Sequence, residues 1–340
     1  MHKLLVRLRV PLLAVVLGVA GAAPNGSVYA QVVLASCATD NEITADKRAA
    51  IETTALGFVN NMVGSKATAA YEALTADAKQ AVPFDQFAGF VRQAIAPMSP
   101  FTDVHVSHTY VIKAASGGAN TRIICGNLGR PEDWVAVSAK PGAETAYAVV
   151  DAQTKNNGFT FTLWLVADQN WRVEYFNMTV SSIAGKTAQD IWQLARAEQN
   201  SRHLFNAAAL YATANRLASR GPNFQLGIDP EIKKEMARLQ VPRELQGNPP
   251  VAWKLGDDSF KILYVGPIGV GGKIYLSITQ EIAPWSADQD ADQQNSVLIT
   301  EFIRSFPEYS NVFAGLVVGA SEAGGHRLFT TVYESKSSSH

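Results

Sequence analysis

Two stretches decide the fold: Thr145-Ala146-Tyr147-Ala148-Val149-Val150-Asp151 and Phe159-Thr160-Phe161-Thr162-Leu163-Trp164-Leu165. Each is dense in β-branched and aromatic side chains, which fit a pleated, largely buried surface. Between them, Lys155-Asn156-Asn157-Gly158 holds the Asn-Gly pair of a tight hairpin, since both residues tolerate positive φ. The stretches therefore read as antiparallel neighbours, strands over 145–154 and 159–167. A second hairpin at Asp168-Gln169-Asn170 leads into a strand over 171–180. Upstream, Val104, Val106, His108, Tyr110 and Ile112 alternate with His105, Ser107, Thr109 and Lys113, which predicts a strand carrying the first set on its apolar face. Strands over 121–126 and 134–140 complete a strongly curved antiparallel sheet.

Three helices are expected before the sheet. In the first, running from Thr44 to near Gly64, Ile51, Ala55, Phe58, Val59 and Met62 recur at spacings of three and four and form one apolar stripe. Ala70, Tyr71 and Leu74 mark the second. The third opens after Pro83 with Phe87, Phe90, Val91 and Ile95 on one side, and stops at Pro97 and Pro100. The fold class is α+β: three helices on a curved antiparallel sheet, over residues 44–185.

This order, with the Ala70-Tyr71-Glu72-Ala73-Leu74-Thr75 segment, the Phe84-Asp85-Gln86-Phe87 opening and the terminal Trp171-Arg172-Val173 strand, resembles the cone-shaped nuclear transport factor 2-like superfamily over residues 44–182. The likeness is greatest to small exported bacterial members of unknown function. It implies a cone with a pocket between sheet and helices. It does not imply one activity, since the superfamily holds isomerases, dehydratases, lids of larger enzymes and plain binding modules. In such a pocket His108 and, on a later strand in register with Tyr147 and Val149, Asp151 are the candidate acid–base pair. Asp103, His105 and His108 do not read as a metal site, because the two histidines point to opposite faces of their strand.

The ends of the chain speak of its address. A basic start (His2, Lys3, Arg7, Arg9), an apolar run from Val10 to Ala23 and the segment Val28-Tyr29-Ala30 form an export signal over 1–30, with cleavage expected before Gln31. The whole chain has 29 basic and 30 acidic side chains; losing Lys3, Arg7 and Arg9 leaves 26 against 30. That balance excludes a nucleic-acid partner, which needs a basic surface. With 47% hydrophobic and 17% charged residues over 340 positions, the composition is that of an ordinary globular chain with two or three compact units. No segment of the mature chain is apolar enough for a transmembrane helix.

Two cysteines, Cys37 and Cys125, carry two readings. In an oxidising compartment they form one disulfide that staples the 31–43 segment to the sheet. Alternatively, Leu34-Ala35-Ser36-Cys37 resembles a bacterial lipobox, with Cys37 acylated.

Beyond Gly185, Thr187 caps a helix containing Ile191, Leu194 and Ala195, and after a break near Asn200 a second carries Ala207, Tyr211 and Ala214. The hairpin over 186–220 resembles a single tetratricopeptide unit at 187–219, too few copies for a solenoid and so a bracket between neighbours. Residues 221–252 are a connector rich in Pro and Gly, with one helix over 230–239. A ββαββ module over 253–334 follows: strands at 259–265 and 273–282, a helix at 288–305 with Val297, Leu298, Phe302 and Ile303 inward, and strands at 312–319 and 327–333. A tail, 335–340, ends the chain.

Gly266–Lys273 is a flexible hairpin tip and not a phosphate loop, because no helix follows it and Ile274 stands where Ser or Thr would hold magnesium. Asp288, Asp290 and Asp292 are an acidic helix start and not a calcium loop, since Gln293 and Ile299 occupy the positions of the turn glycine and the bidentate glutamate. No cofactor or metal is expected. The functional expectation is an exported, periplasmic or secreted module that binds an envelope protein or a small apolar ligand. The alternative is a hydrolase or isomerase using His108 and Asp151.

Overall fold

A computed structural model describes residues 35–114, 121–140, 142–247, 249–325 and 327–335. The expected export signal and the tail beyond Ser335 lie outside these. The described residues form an α+β fold with eight α-helices and three sheets, one of them a curled half-barrel of antiparallel strands. They divide into two compact units: one built from residues up to 126 with 135–151 and 161–177, the other from 127–134, 152–160 and everything from 178 onward.

The first unit opens with β1 (Ala35–Thr39), which pairs antiparallel with β2 (Thr102–Ala114), Cys37 opposite Ile112. Between them lie α1 (Ala45–Val63), α2 (Ala67–Glu72), α3 (Ala76–Ala81) and α4 (Phe84–Phe90). The apolar stripe of α1 is fully buried: Ile51, Ala55, Phe58, Val59 and Met62 are all 0% exposed. The single second helix expected from sequence is two, because Leu74 leaves the helix to bridge Val173, and Thr75 starts α3 by accepting the Ala78 N–H on its hydroxyl at 3.1 Å. α4 continues through a π-helical turn, Val91–Ile95, and Phe90 is exposed while Phe87, Val91 and Ile95 are buried.

After β3 (Thr121–Gly126) and β4 (Trp134–Ala139) come β5 (Glu144–Gln153), β6 (Asn157–Asp168) and β7 (Asn170–Ile183). The last three carry residues of both units. The 155–158 turn differs from expectation: Thr154 N–H donates to Asn157 O, Lys155 and Asn156 form the tip, and Asn157-Gly158 already belongs to β6 without positive φ. Gln169, at φ 56°, makes the next hairpin.

The pleat assigns the two faces. Phe176 on β7 packs on Phe58 and Phe87 at 5.2 and 5.9 Å, so its face looks at the helices. Tyr147 looks the other way, donating its hydroxyl to Ser138 O of β4 at 2.9 Å and stacking on Trp164 at 5.8 Å. β5 and β6 are consequently buried on both faces, from Ala146 to Val150 and from Phe161 to Leu165. The sequence reading placed helices on one side only; β3 and β4 are the second cover.

In the second unit the short β8 (Lys186–Thr187) turns back on β7 through Ala184 and Gly185, and leads into α5 (Ala188–Asn200) and α6 (Leu204–Ala218). Thr187 and Asp190 exchange the two bonds of a capping box. Then follow β9 (Phe224–Leu226), α7 (Ile228–Met236), β10 (Val251–Leu255), β11 (Asp258–Val270), β12 (Lys273–Ile282), α8 (Asp288–Ser305), β13 (Gly315–Glu322) and β14 (Leu328–Glu334). The last five strands form one sheet in chain order, antiparallel throughout except for β12 beside β13, which run parallel and are joined across α8. The module is thus βββαββ: β10 hides behind Pro249-Pro250 in what reads as connector. Its core joins α6, α8 and β10 through Phe205, Phe302 and Trp253. Val297, expected inward, is exposed.

Candidate functional site

His108 lies on the β2 face turned away from the helices, since its neighbour Thr109 reaches Glu52 of α1 at 3.5 Å. The side chain is 56% exposed and not enclosed in a pocket. Its Nδ1 is held 3.1 Å from Asp40 Oδ2, while Asp40 Oδ1 accepts the Thr109 N–H at 2.8 Å. Asp151 is half-buried and has interactions of its own; the carboxylate on His108 is that of Asp40. Asp40 sits at φ 38°, a turn conformation fastened by these two bonds. Burial pushes the Tyr110 hydroxyl pKa up, and the Asp40 carboxylate adds to that shift. His105 is bound to Asp103, so the two histidines have separate partners.

Cys37 and Cys125 form the disulfide, with Cα atoms 5.5 Å apart. Cys37 shares a face with its partner Ile112, and the bridge ties β1 to β3. A sulfur engaged in this bridge cannot carry the thioether of a lipid anchor, which removes the lipobox reading of Cys37.

A cleft among the described residues lies in the second unit. It opens between α6, α7, the 237–251 segment and β11 with about 440 Å3 of space, a volume within the range of small-molecule sites. Ala208, Ala209 and Ala212 of α6 form its floor; Met236, Leu239, Val241, Val251 and Val265 supply aliphatic walls. Small side chains on the helix leave room, and Leu245, Gly247 and Pro249 of the Pro-rich segment also line it. Arg216, Lys233 and Glu244 bring charge to its lining.

The α7 wall is held by a polar clamp. Arg196 of α5 grips Glu235 through Nε and Nη2 at 2.9 and 2.6 Å, Trp192 Nε1 donates to the same carboxylate at 2.8 Å, and the Tyr211 hydroxyl lies 3.0 Å from it. Arg196 also stacks 3.7 Å over the Trp192 ring. The Arg196 bond, followed by those of Trp192 and Tyr211, holds the Glu235 carboxyl below its usual value of 4.5. Burial first, and the Glu235 bond second, push Tyr211 up to about 12.

The motifs set aside on sequence have structural occupations. β11 runs to Val270 and only Gly271-Gly272, both at positive φ, form the turn before β12. Asp288 pairs with Arg327, Asp290 caps the Ala287 N–H and Asp292 accepts from Thr331. No described helix is long and apolar enough to cross a membrane. Nothing in the sequence pattern singles out the cleft, whose lining is drawn from residues 208 to 266. The only signal is the run Ala207-Ala208-Ala209 with Ala212, which helix–helix packing explains equally well. Compared with known proteins, the chain matches no family model, no curated protein and no solved structure.

Proposed function

We propose that this protein is an exported envelope module that binds a small, largely apolar ligand in the cleft between α6, α7 and β11. The carrying observation is the cleft itself: about 440 Å3 of space, an alanine floor and aliphatic walls, with the Glu235 clamp joining α7 to α5 and α6. The Cys37–Cys125 bridge supports an oxidising address, which agrees with the basic and apolar start of the chain. We read the first unit as a cone of nuclear transport factor 2-like type, its helices on one face and β3 and β4 over the other, acting as the scaffold. The acid–base alternative loses support because His108 is solvent-exposed and bound to Asp40.

The neutral dye Nile red tests the binding reading. Wild-type protein should enhance its fluorescence saturably, and Ala212→Trp, which fills the floor from an exposed helix position, should abolish the enhancement while leaving the melting temperature near wild type. Equal enhancement by both proteins, or none by either, refutes it. The export reading predicts Gln31, free or cyclised, at the N-terminus of envelope material by mass spectrometry; a chain beginning at Met1 there would contradict it.

A further inference from the structure

Resting on the reading of the cleft as a ligand site, we propose that its ligand is a single-chain amphiphile with an anionic head, of the medium-chain carboxylate class, the head held by Arg216 and the tail lying along the alanines of α6. The interior asks for hydrocarbon. Its polar side chains are already engaged: Thr213 Oγ1 donates to Ala209 O and Gln246 Nε2 to Val241 O, each at 2.8 Å. Among the described residues no aromatic ring lines the cleft to select a flat ligand; Met236, Leu239 and Val241 present flexible or branched aliphatic surface, to which an alkyl chain conforms.

The charges orient that chain. Lys233 is neutralised by Asp229 at 2.8 Å. Arg216, exposed at the rim, donates to neutral oxygens, the Tyr264 hydroxyl at 3.2 Å and Pro267 O at 3.5 Å, and has no carboxylate partner among the described residues. Its planar guanidinium is matched to a carboxylate, which it takes in two parallel bonds. Glu244 also lines the cleft, and its carbonyl accepts from the Trp253 indole. An anionic head is therefore drawn to Arg216, the lining cation that no carboxylate pairs among the described residues.

Calorimetric titration with decanoate and decyltrimethylammonium below their micellar concentrations, and with decanol below its solubility limit, tests this. Decanoate should bind about tenfold more tightly than decanol, with decyltrimethylammonium weakest. Arg216→Gln should bring decanoate down to the decanol level and leave decanol unchanged, and Ala212→Trp should abolish binding of both. If decanol binds as tightly as decanoate, or Arg216→Gln weakens the two equally, the headgroup assignment falls and the cleft reading stands. If none of the three binds, or Ala212→Trp leaves decanoate binding intact, the cleft reading falls with it.

Discussion

Thr145, Thr162 and Trp164 are buried on the face of β5 and β6 that looks toward β3 and β4, and the Thr145 and Thr162 hydroxyls and the Trp164 indole N–H have no partner among the described residues. A buried unpaired hydroxyl costs about 1–3 kcal/mol, and an apolar group of the same shape removes that cost. Thr162→Val should therefore raise the stability of the first unit by about 1 kcal/mol in denaturant titration; a lower midpoint would show that the hydroxyl has a role. Glu235 supplies the opposite case. Its folded pKa is depressed, so its stabilisation is complete above the unfolded value of 4.5 and is lost as pH falls through the lower folded value. Melting temperature should drop more steeply below pH 4.5 in wild type than in Glu235→Gln, and parallel acid limbs would refute the clamp. None of these partnerships is legible in sequence. Arg196, Trp192, Tyr211 and Glu235 come from three helices, and Asp40, 68 positions before His108, finds it only because β1 and the turn after it dock on β2.

Elements were legible where periodicity is strong. The α1 stripe and the strands at 121–126, 144–153 and 170–183 fall within a few residues of the sequence reading, because each presents either a 3.6-residue stripe or a dense β-branched run. β1 and β10 were missed for physical reasons. Ala35-Ser36-Cys37-Ala38-Thr39 has no alternation of its own and becomes a strand only against β2, and Val251–Leu255 follows Pro249-Pro250, which reads as punctuation. α8 offers an element-scale test. Asn295, fully buried, accepts from Gln280 Nε2 at 3.0 Å and donates to Val318 O and Thr331 Oγ1 at 3.1 Å, pinning the helix to β12, β13 and β14. Asn295→Ala takes the partner from buried Gln280 and removes the bonds to Val318 O and Thr331 Oγ1, and should cost about 2–4 kcal/mol; a loss below about 0.5 kcal/mol would mean that apolar packing alone seats α8.

At the scale of the whole molecule both cysteines belong to the first unit, so reduction should act there. With a sequence separation of 88 the chain-entropy model gives about 4–5 kcal/mol as the most the bridge contributes. Cys125→Ser or reduction should lower the melting transition of the first unit by several degrees and shift that of the second far less; equal shifts in both transitions would show that the units unfold as one. The bridge also makes a covalent ring of residues 37 to 125, with α1 to α4 and β2 strung along it. A protease that nicks the ring once, at Lys66 or Arg92 for instance, opens it without detaching anything: the cut protein runs as one band until a reductant is added, and then as two. The same ring means that a single break among the four helices leaves their two halves tethered through β1 and β3, close enough to find each other again.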